Sequence, residues 1–340
     1  MTTEVLLVAG MTDHDVDVRM WQALPGSALV RYDLRDLAAG VVRRWVDGEL
    51  TVLELAHGCA SCTLRLDLVP LLTGLGGRVV VHLDPALEPE PVCVALHGSD
   101  VRVEAVVSVV DRATWLTETT SPDALADRGL SAADADDRTV AQVLVGQAEF
   151  ADALVLTGPP NPAVEAALDR LVPGTPRHEH TTLDVPALLT SIPPNSRRGR
   201  FDDIWAPPLR PDTPLHPAHG ISVLRFTTER PFHPNRLNTS LDTLLEDVIR
   251  TRGRLHLASQ PTTALWLESA GGGLSVGNLG PWPETDHGHQ DLVIITTTRT
   301  PAKILEALHG ALATDEELAL LAPTEFTDPF AEWEDELEGR

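Results

Sequence analysis

The chain has 340 residues, a formal charge of −24 and three cysteines. This length predicts two domains with separate cores, and the negative charge argues against DNA or other broad nucleic-acid binding, because few phosphates could be neutralised. No apolar run reaches the ~20 residues of a membrane span and no secretion signal is present, so we expect a cytoplasmic protein with no membrane contact and no disulfide framework.

In the first half of the chain, strand patterns alternate with helix patterns. Short apolar runs bounded by turn residues predict strands at 5–9, 28–32, 41–46, 50–55, 78–82, 101–110 and 153–157. Helical spacing predicts helices at 13–24 (after a loop), 64–75, 92–97, 139–150 and 162–171. Asp47-Gly48 predicts a hairpin between two of the strands. This alternation predicts an α/β fold with a mostly parallel sheet covered on both faces.

The second half begins after a proline-rich stretch. Residues 190–219 contain seven prolines and are predicted to form a linker between a first domain at 1–189 and a second at 220–326. An α+β pattern follows, with strands at 221–226, 254–258, 264–268, 274–276 and 292–297 and helices at 234–250 and 302–312. The tail, 327–340, is acidic, and Phe330 and Trp333 are its predicted anchors.

Two thiols mark the junction between a predicted strand and a predicted helix. Cys59 and Cys62 lie three positions apart, and the amide groups at a helix start favour the thiolate form. The spacing allows both sulfurs to bind one metal ion or each other, so metal and redox chemistry both remain open. Zinc usually has four ligands. We therefore consider His57 and His82 as further ligands, the alternative for each being a hydrogen-bonded structural histidine.

The position of His82 is the reason for including it. It ends the strand that we expect to neighbour the strand leading into the thiols, which would bring its imidazole near them. A site with two thiolates and an open coordination sphere would suit a sensor, because a sensor must release its metal when supply falls.

Positive charge is almost entirely arginine, since Lys303 is the only lysine. The densest basic cluster is Arg197, Arg198 and Arg200 on the predicted linker. Arginine fits phosphate well, so this cluster is a candidate contact with RNA or the ribosome; the alternative is a solvated linker.

Several segments resemble one known family. The segment Gly58-Cys59-x-x-Cys62-Thr63-Leu64-Arg65-x-Asp67-Leu68 resembles the cysteine signature of the CobW-like, zinc-linked GTPases. Further resemblance lies in 147–152, in 230–234 with the helix after it, and in 252–273. The resemblance implies a P-loop GTPase-like domain at 1–189, a CobW C-terminal domain at 220–326, and zinc as the metal.

The nucleotide motifs of that family are missing. The family has a Gly-rich loop ending in Lys-Thr after its first strand, whereas here Gly10 is followed by Asp13, Asp15 and Asp17, and no lysine precedes residue 303. Two like charges ~4 Å apart repel by roughly 4 kcal/mol at an effective dielectric of about 20. The second and third motifs are replaced by His82-Leu83-Asp84-Pro85 and Thr157-Gly158-Pro159-Pro160. We therefore predict a degenerate, GTPase-like scaffold that uses neither GTP nor magnesium and has no catalytic residue.

The pattern is most similar to the actinobacterial, zinc-regulated branch of the family. That branch includes a factor that recruits a ribosome hibernation protein when zinc is scarce. The resemblance implies association with ribosomes and delivery of a hibernation factor, with the cysteine pair sensing zinc. The alternatives are a zinc metallochaperone that still hydrolyses GTP and a thiol redox switch.

Overall fold

The computed structural model describes residues 2–55, 60–130, 136–284 and 288–331, without the side chains of residues 61 and 62. The chain forms two compact units. The first unit comprises Met1–Glu118, Asp123–Asn161 and Gly174–Asp202, and the second comprises Thr119–Pro122, Pro162–Pro173 and Asp203–Arg340.

The first unit contains an eight-stranded sheet. Its strands are β1 (Thr3–Ala9), β2 (Ala28–Asp33), β3 (Val41–Val46), β4 (Glu49–Glu54), β5 (Arg78–His82), β6 (Val101–Asp111), β7 (Ala153–Thr157) and β8 (Arg177–Glu179). The strand order is β4-β3-β2-β5-β1-β6-β7-β8. The six strands from β2 to β8 in that order pair in parallel, and β3 and β4 add antiparallel strands at one edge. The predicted mostly parallel α/β fold is confirmed.

Helices connect these strands. In chain order they are α1 (Val16–Ala23), α2 (Ala60–Thr63), a π-helical turn (Leu64–Leu68), α3 (Val69–Leu75), α4 (Pro89–Leu96), α5 (Trp115–Glu118), α6 (Val140–Glu149) and α8 (Val185–Ser191). The intervening helix α7 (Pro162–Leu171) belongs to the second unit. Central strands have continuous apolar runs because both of their faces are covered: Val5–Ala9 of β1 is fully buried.

One predicted strand neighbour is wrong. His82 ends β5, which we expected beside the strand leading into the thiols, but that strand is β4, and β2 and β3 separate the two. The hairpin explains the difference. Asp47 and Gly48 have φ values of 49° and 89°, as a tight turn requires, and the turn pairs β4 with β3 at the edge of the sheet.

The second unit contains a five-stranded antiparallel sheet. Its strands are β9 (Ser222–Thr228), β10 (Val248–Leu255), β11 (Thr263–Ala270), β12 (Gly273–Pro281) and β13 (Gln290–Thr296), in the order β12-β11-β10-β13-β9. Its helices, besides α7, are α9 (Pro234–Leu245), α10 (Pro301–Ala311) and α11 (Asp315–Leu320). Leucines and isoleucines of α9, α10 and one sheet face form its core.

Two details of this unit bear on the predictions. The helix predicted at 234–250 is too long: α9 ends at Leu245, because Asp247 takes a left-handed conformation with φ of 57° and starts the turn into β10. The predicted anchor Phe330 is confirmed, since its side chain is 0% exposed within the core. Trp333 lies outside the described residues.

Within the described part of the chain, none of the helices is long and apolar enough to cross a membrane.

Candidate functional site

The loop between β1 and α1 is the degenerate nucleotide loop of the prediction. It runs from Gly10 to Asp15, next to the ends of β5 and β6. The His14 ring lies against Gly10: a Cβ added to that glycine would come within 2.9 Å of His14 Nε2 and 3.0 Å of Val109 Cβ. Glycine is therefore required here for the close approach of the ring. The same ring stacks on His82, with 5.0 Å between ring centroids.

Asp17, on α1, joins two neighbouring strands, β2 and β5, at this edge. Its carboxylate Oδ2 accepts hydrogen bonds from Nε of Arg31, on β2, and from Nδ1 of His82, on β5, the latter at 3.0 Å. The carboxylate is completely buried. Burial alone would raise the pKa of Asp17, but the hydrogen bonds from His82 and Arg31 outweigh it and hold that pKa well below its usual value. Asp17 therefore stays ionised with Oδ2 shared by two neighbours, while its Oδ1 is buried without a hydrogen-bond partner among the described residues.

His14 brings no positive charge to the loop. Burial, followed by the nearby His82, lowers the pKa of His14 to about 4. The imidazole is neutral at pH 7, and both of its ring nitrogens are buried without a hydrogen-bond partner among the described residues. A neutral, packed ring thus occupies space beside Gly10, where a phosphate-binding loop would need exposed donors.

The other two aspartates of the loop have different environments. Asp15 is exposed and bonded on both oxygens, to Nε of Arg19 at 2.9 Å and to Nε2 of His180 at 2.6 Å. These hydrogen bonds, first from His180 and then from Arg19, lower the pKa of Asp15. Asp13 is exposed. The structure thus brings Gly10, Asp17 and His82 together and directs Asp15 to a separate ion pair.

At the other end of the same sheet edge, charged side chains are also hydrogen-bonded to other groups of the protein. Arg112, just after β6, is buried and its guanidinium donates to both carboxylate oxygens of Glu179, at 2.8 and 2.6 Å. It also donates to the carbonyl oxygen of Gly158 at 2.7 Å, within the segment that replaces the third nucleotide motif. In the second replaced motif, Asp84 is buried and accepts hydrogen bonds from the backbone amides of Leu34 and Ala86.

Four side chains that close this edge were not among the site residues predicted from the sequence: His14, Arg31, Arg112 and Glu179. A histidine between aspartates gave no sign that its ring would turn inward. The role of Arg31 depends on β2 lying beside β5, which is a property of the sheet order. A charged residue directly after a buried strand, such as Arg112, was the one available signal.

The structure describes part of the thiol segment. His57 and Cys59 lie outside the described residues, and Cys62 lies in α2, with its side chain outside the description. In the π-helical turn that follows, Asp67 accepts hydrogen bonds from the Tyr32 hydroxyl and from Arg44, and so ties the turn to β2 and β3. No group of three potential ligands that could hold a metal ion occurs among the residues described. The zinc ligands therefore remain predictions.

The predicted basic cluster is largely bonded within the first unit. Arg197 pairs with Asp202 and lies over the Phe150 ring at 4.9 Å, and Arg198 donates to the Glu104 carbonyl oxygen at 2.9 Å. Arg200 is exposed, although its guanidinium donates to the backbone oxygens of Ser196 and Arg197. The third cysteine, Cys93, is buried, and burial raises its thiol pKa to about 12, so it is a core residue rather than a reactive thiol.

Comparison with known proteins shows the family. The sequence profile of the cobalamin synthesis protein CobW C-terminal domain matches residues 221–312. The protein named zinc chaperone Rv0106, from Mycobacterium tuberculosis, is 38% identical over 388 residues, which cover 99% of this chain and 94% of that protein. Zinc-regulated GTPase metalloprotein activator 1 from Dictyostelium discoideum is 24% identical, over 79% of this chain and 67% of that protein. The chain belongs to the CobW-like family.

Among solved structures, the crystal structure of Zn(II)-bound YjiA GTPase from E. coli is similar at low level. The TM-score is 0.40 and the sequence identity is 15%, over 92% of this chain and 99% of that one.

Proposed function

We propose that this chain is a zinc-responsive CobW-like protein that binds no GTP at its P-loop position. The observation that carries this proposal is the packing of His14 against Gly10. A phosphate-binding loop needs free backbone amides and a lysine beside them. Here the loop holds a neutral ring, the chain's single lysine lies elsewhere, and the arginines bonded at this edge, Arg31 and Arg19, already pair with Asp17 and Asp15.

Zinc is the metal that we propose for this scaffold. Cys59 and Cys62 have the spacing of a zinc-binding pair, and two relatives carry zinc in their names. We expect Cys59→Ala and Cys62→Ala each to lose zinc in equilibrium dialysis, whereas Cys93→Ala, at the buried cysteine, keeps it. Equal zinc retention by all three variants would reject the thiol pair as the site.

The ribosome is the proposed place of action. Under zinc limitation the protein would associate with ribosomes and recruit a hibernation factor. This rests on the resemblance to the zinc-regulated actinobacterial branch and on exposed Arg200 as a phosphate contact. We expect co-sedimentation of protein, hibernation factor and ribosomes with a chelator, and its loss with added zinc. The same sedimentation at both zinc levels would reject zinc control of recruitment.

A zinc chaperone that delivers metal to client proteins is the second candidate. It is favoured by the 38% identity to a protein with that name. The two functions differ in what happens to the metal. With a competing chelator present, a chaperone still transfers its bound zinc directly to a metal-free acceptor. A sensor loses its zinc to the chelator instead.

A further inference from the structure

A polar cleft in the second unit lies between the end of α9 and the start of α10. Its volume is about 430 Å³, within the usual range for small-molecule sites. One wall carries Thr243, Glu246 and Asp247, and the other is formed by 297–300 with Lys303. The Asp247 carbonyl oxygen accepts hydrogen bonds from the Thr297 amide and the Thr296 hydroxyl, at 2.9 and 2.8 Å. Backbone bonds therefore hold the two walls together at their base.

The charged side chains of this cleft do not pair with one another. Glu246 and Asp247 lie on one wall and Arg299 and Lys303 on the other, and the side chains of all four are exposed. None of these side chains makes a hydrogen bond or ion pair with any residue that the structure describes. Elsewhere in the same unit, partly buried charges do pair, as Arg236 does with Glu317 at 2.7 Å. The cleft thus keeps two carboxylates and two cations available.

The two cations also occupy unfavourable positions. Arg299 precedes the N-cap residue Thr300, and Lys303 is the third residue of α10. The start of a helix has a partial positive charge, which favours acidic residues and disfavours cations. The Thr300 hydroxyl makes no capping bond either. Residues that oppose helix stability are typical of functional positions. An anion between Arg299 and Lys303 would relieve their repulsion from each other and from the start of the helix.

We propose that this cleft binds a small molecule with a phosphate at one end and an ammonium group at the other. The phosphate accepts hydrogen bonds from Arg299, Lys303 and the Thr300 hydroxyl. The ammonium group lies against Glu246 and Asp247 on the opposite wall. Phosphate alone would be repelled by the carboxylates, and an amine alone by the cations, so both ends are needed.

Isothermal titration of the full chain tests this with three probes: O-phosphoethanolamine, inorganic phosphate and ethanolamine. We expect saturable binding of O-phosphoethanolamine, at least about tenfold tighter than either of the other two probes. The double variant Arg299→Ala with Lys303→Ala should weaken that binding by about tenfold or more. The double variant Glu246→Gln with Asp247→Asn should remove the preference over inorganic phosphate; asparagine tolerates the left-handed conformation of residue 247.

Arg65→Ala is the matched control, because it removes an exposed arginine from the first unit. It should leave the titration unchanged, and circular dichroism should show that every variant is folded. Equal affinity for O-phosphoethanolamine and inorganic phosphate, or an unchanged titration in the arginine–lysine variant, would overturn the proposal. So would the absence of saturable binding in the unaltered protein.

Two sources could supply this chemistry: a free phosphorylated amine or a lipid headgroup. Sedimentation with vesicles of phosphatidylcholine, with and without phosphatidylethanolamine, distinguishes them. Binding only to vesicles with phosphatidylethanolamine, lost in the arginine–lysine variant, identifies the headgroup. Titration by O-phosphoethanolamine without vesicle binding identifies the free compound.

Discussion

The carboxyl edge of the parallel sheet and the cleft between α9 and α10 use their charges in opposite ways. At the sheet edge, the charged groups are bonded to one another: Asp17 to Arg31 and His82, and Arg112 to Glu179. In the cleft, Arg299 and Lys303 face two carboxylates and pair with neither. A sheet of this type usually binds its ligand at the carboxyl edge. In this chain the unpaired Arg299 and Lys303 lie in the other unit.

The comparison shows why fold alone does not identify a binding site. A charge already bonded within the protein must give up that bond before it can bind a ligand, and this cost removes most of the gain. An unpaired, solvated charge carries no such cost. The distribution of unpaired charge is therefore a better guide to binding than position in the fold.

The largest expected effect comes from opening the sheet edge. Asp17→Ala leaves Arg31 and His82 without their shared carboxylate. We expect the free energy of unfolding to fall by about 3 kcal/mol. This value is at the lower end of the range for breaking a buried ion pair, because Arg31 is partly exposed. Urea unfolding measures this. The control is Asp13→Ala, at an exposed aspartate of the same loop, which should change stability by less than about 0.5 kcal/mol. Equal effects of the two substitutions would mean that Asp17 does not hold this edge together.

A smaller effect on stability is expected from the protonation of His14 as the pH changes. Its folded pKa of about 4 lies below the ordinary histidine value of 6.5, so between these pH values the unfolded chain binds more protons than the folded chain. Stability therefore falls as pH falls from 7 to 4, and His14 contributes about 2 kcal/mol of that loss. In His14→Gln the contribution should disappear from urea unfolding curves taken across this range.

Exposed His216 provides the control for that experiment. His216→Gln should keep the pH dependence of the unaltered protein. If His14→Gln keeps it as well, the ring of His14 is not buried in its neutral form.

The smallest effect is expected at the cleft. Because Arg299 and Lys303 lie at the positive end of α10, replacing both with alanine should raise the free energy of unfolding by about 0.5 kcal/mol. The gain should shrink at high salt, which screens the helix charge. A loss of stability on this substitution would show that the two cations already have favourable partners, and the two regions would then not differ as described.

Much of the fold could be predicted from sequence because its boundaries have local signals. β5, β7 and α7 fall on the predicted residues 78–82, 153–157 and 162–171, where glycine, proline and polar residues interrupt apolar runs. Prediction failed where long-range contacts decide. α9 ends just before Asp247, whose carbonyl oxygen is bonded to the distant residues Thr296 and Thr297. The separation of β4 from β5 depends on the pairing order of four strands.

From the sequence, the candidate site could be predicted only as a nucleotide site that has lost its binding motifs. The missing lysine and the three aspartates indicated that the nucleotide loop is degenerate, without indicating what replaces its function. The inward ring of His14 and the bond between Arg31 and Asp17 join side chains from different elements, and their partners appear only once the sheet is assembled.

The central claim is that the protein's own side chains close the nucleotide edge. Isothermal titration of the purified chain with GTP and magnesium tests it most directly. The account predicts no saturable binding up to about 1 mM GTP, a limit that corresponds to about −4 kcal/mol. Saturable binding below that concentration, displaced by GDP, would contradict it.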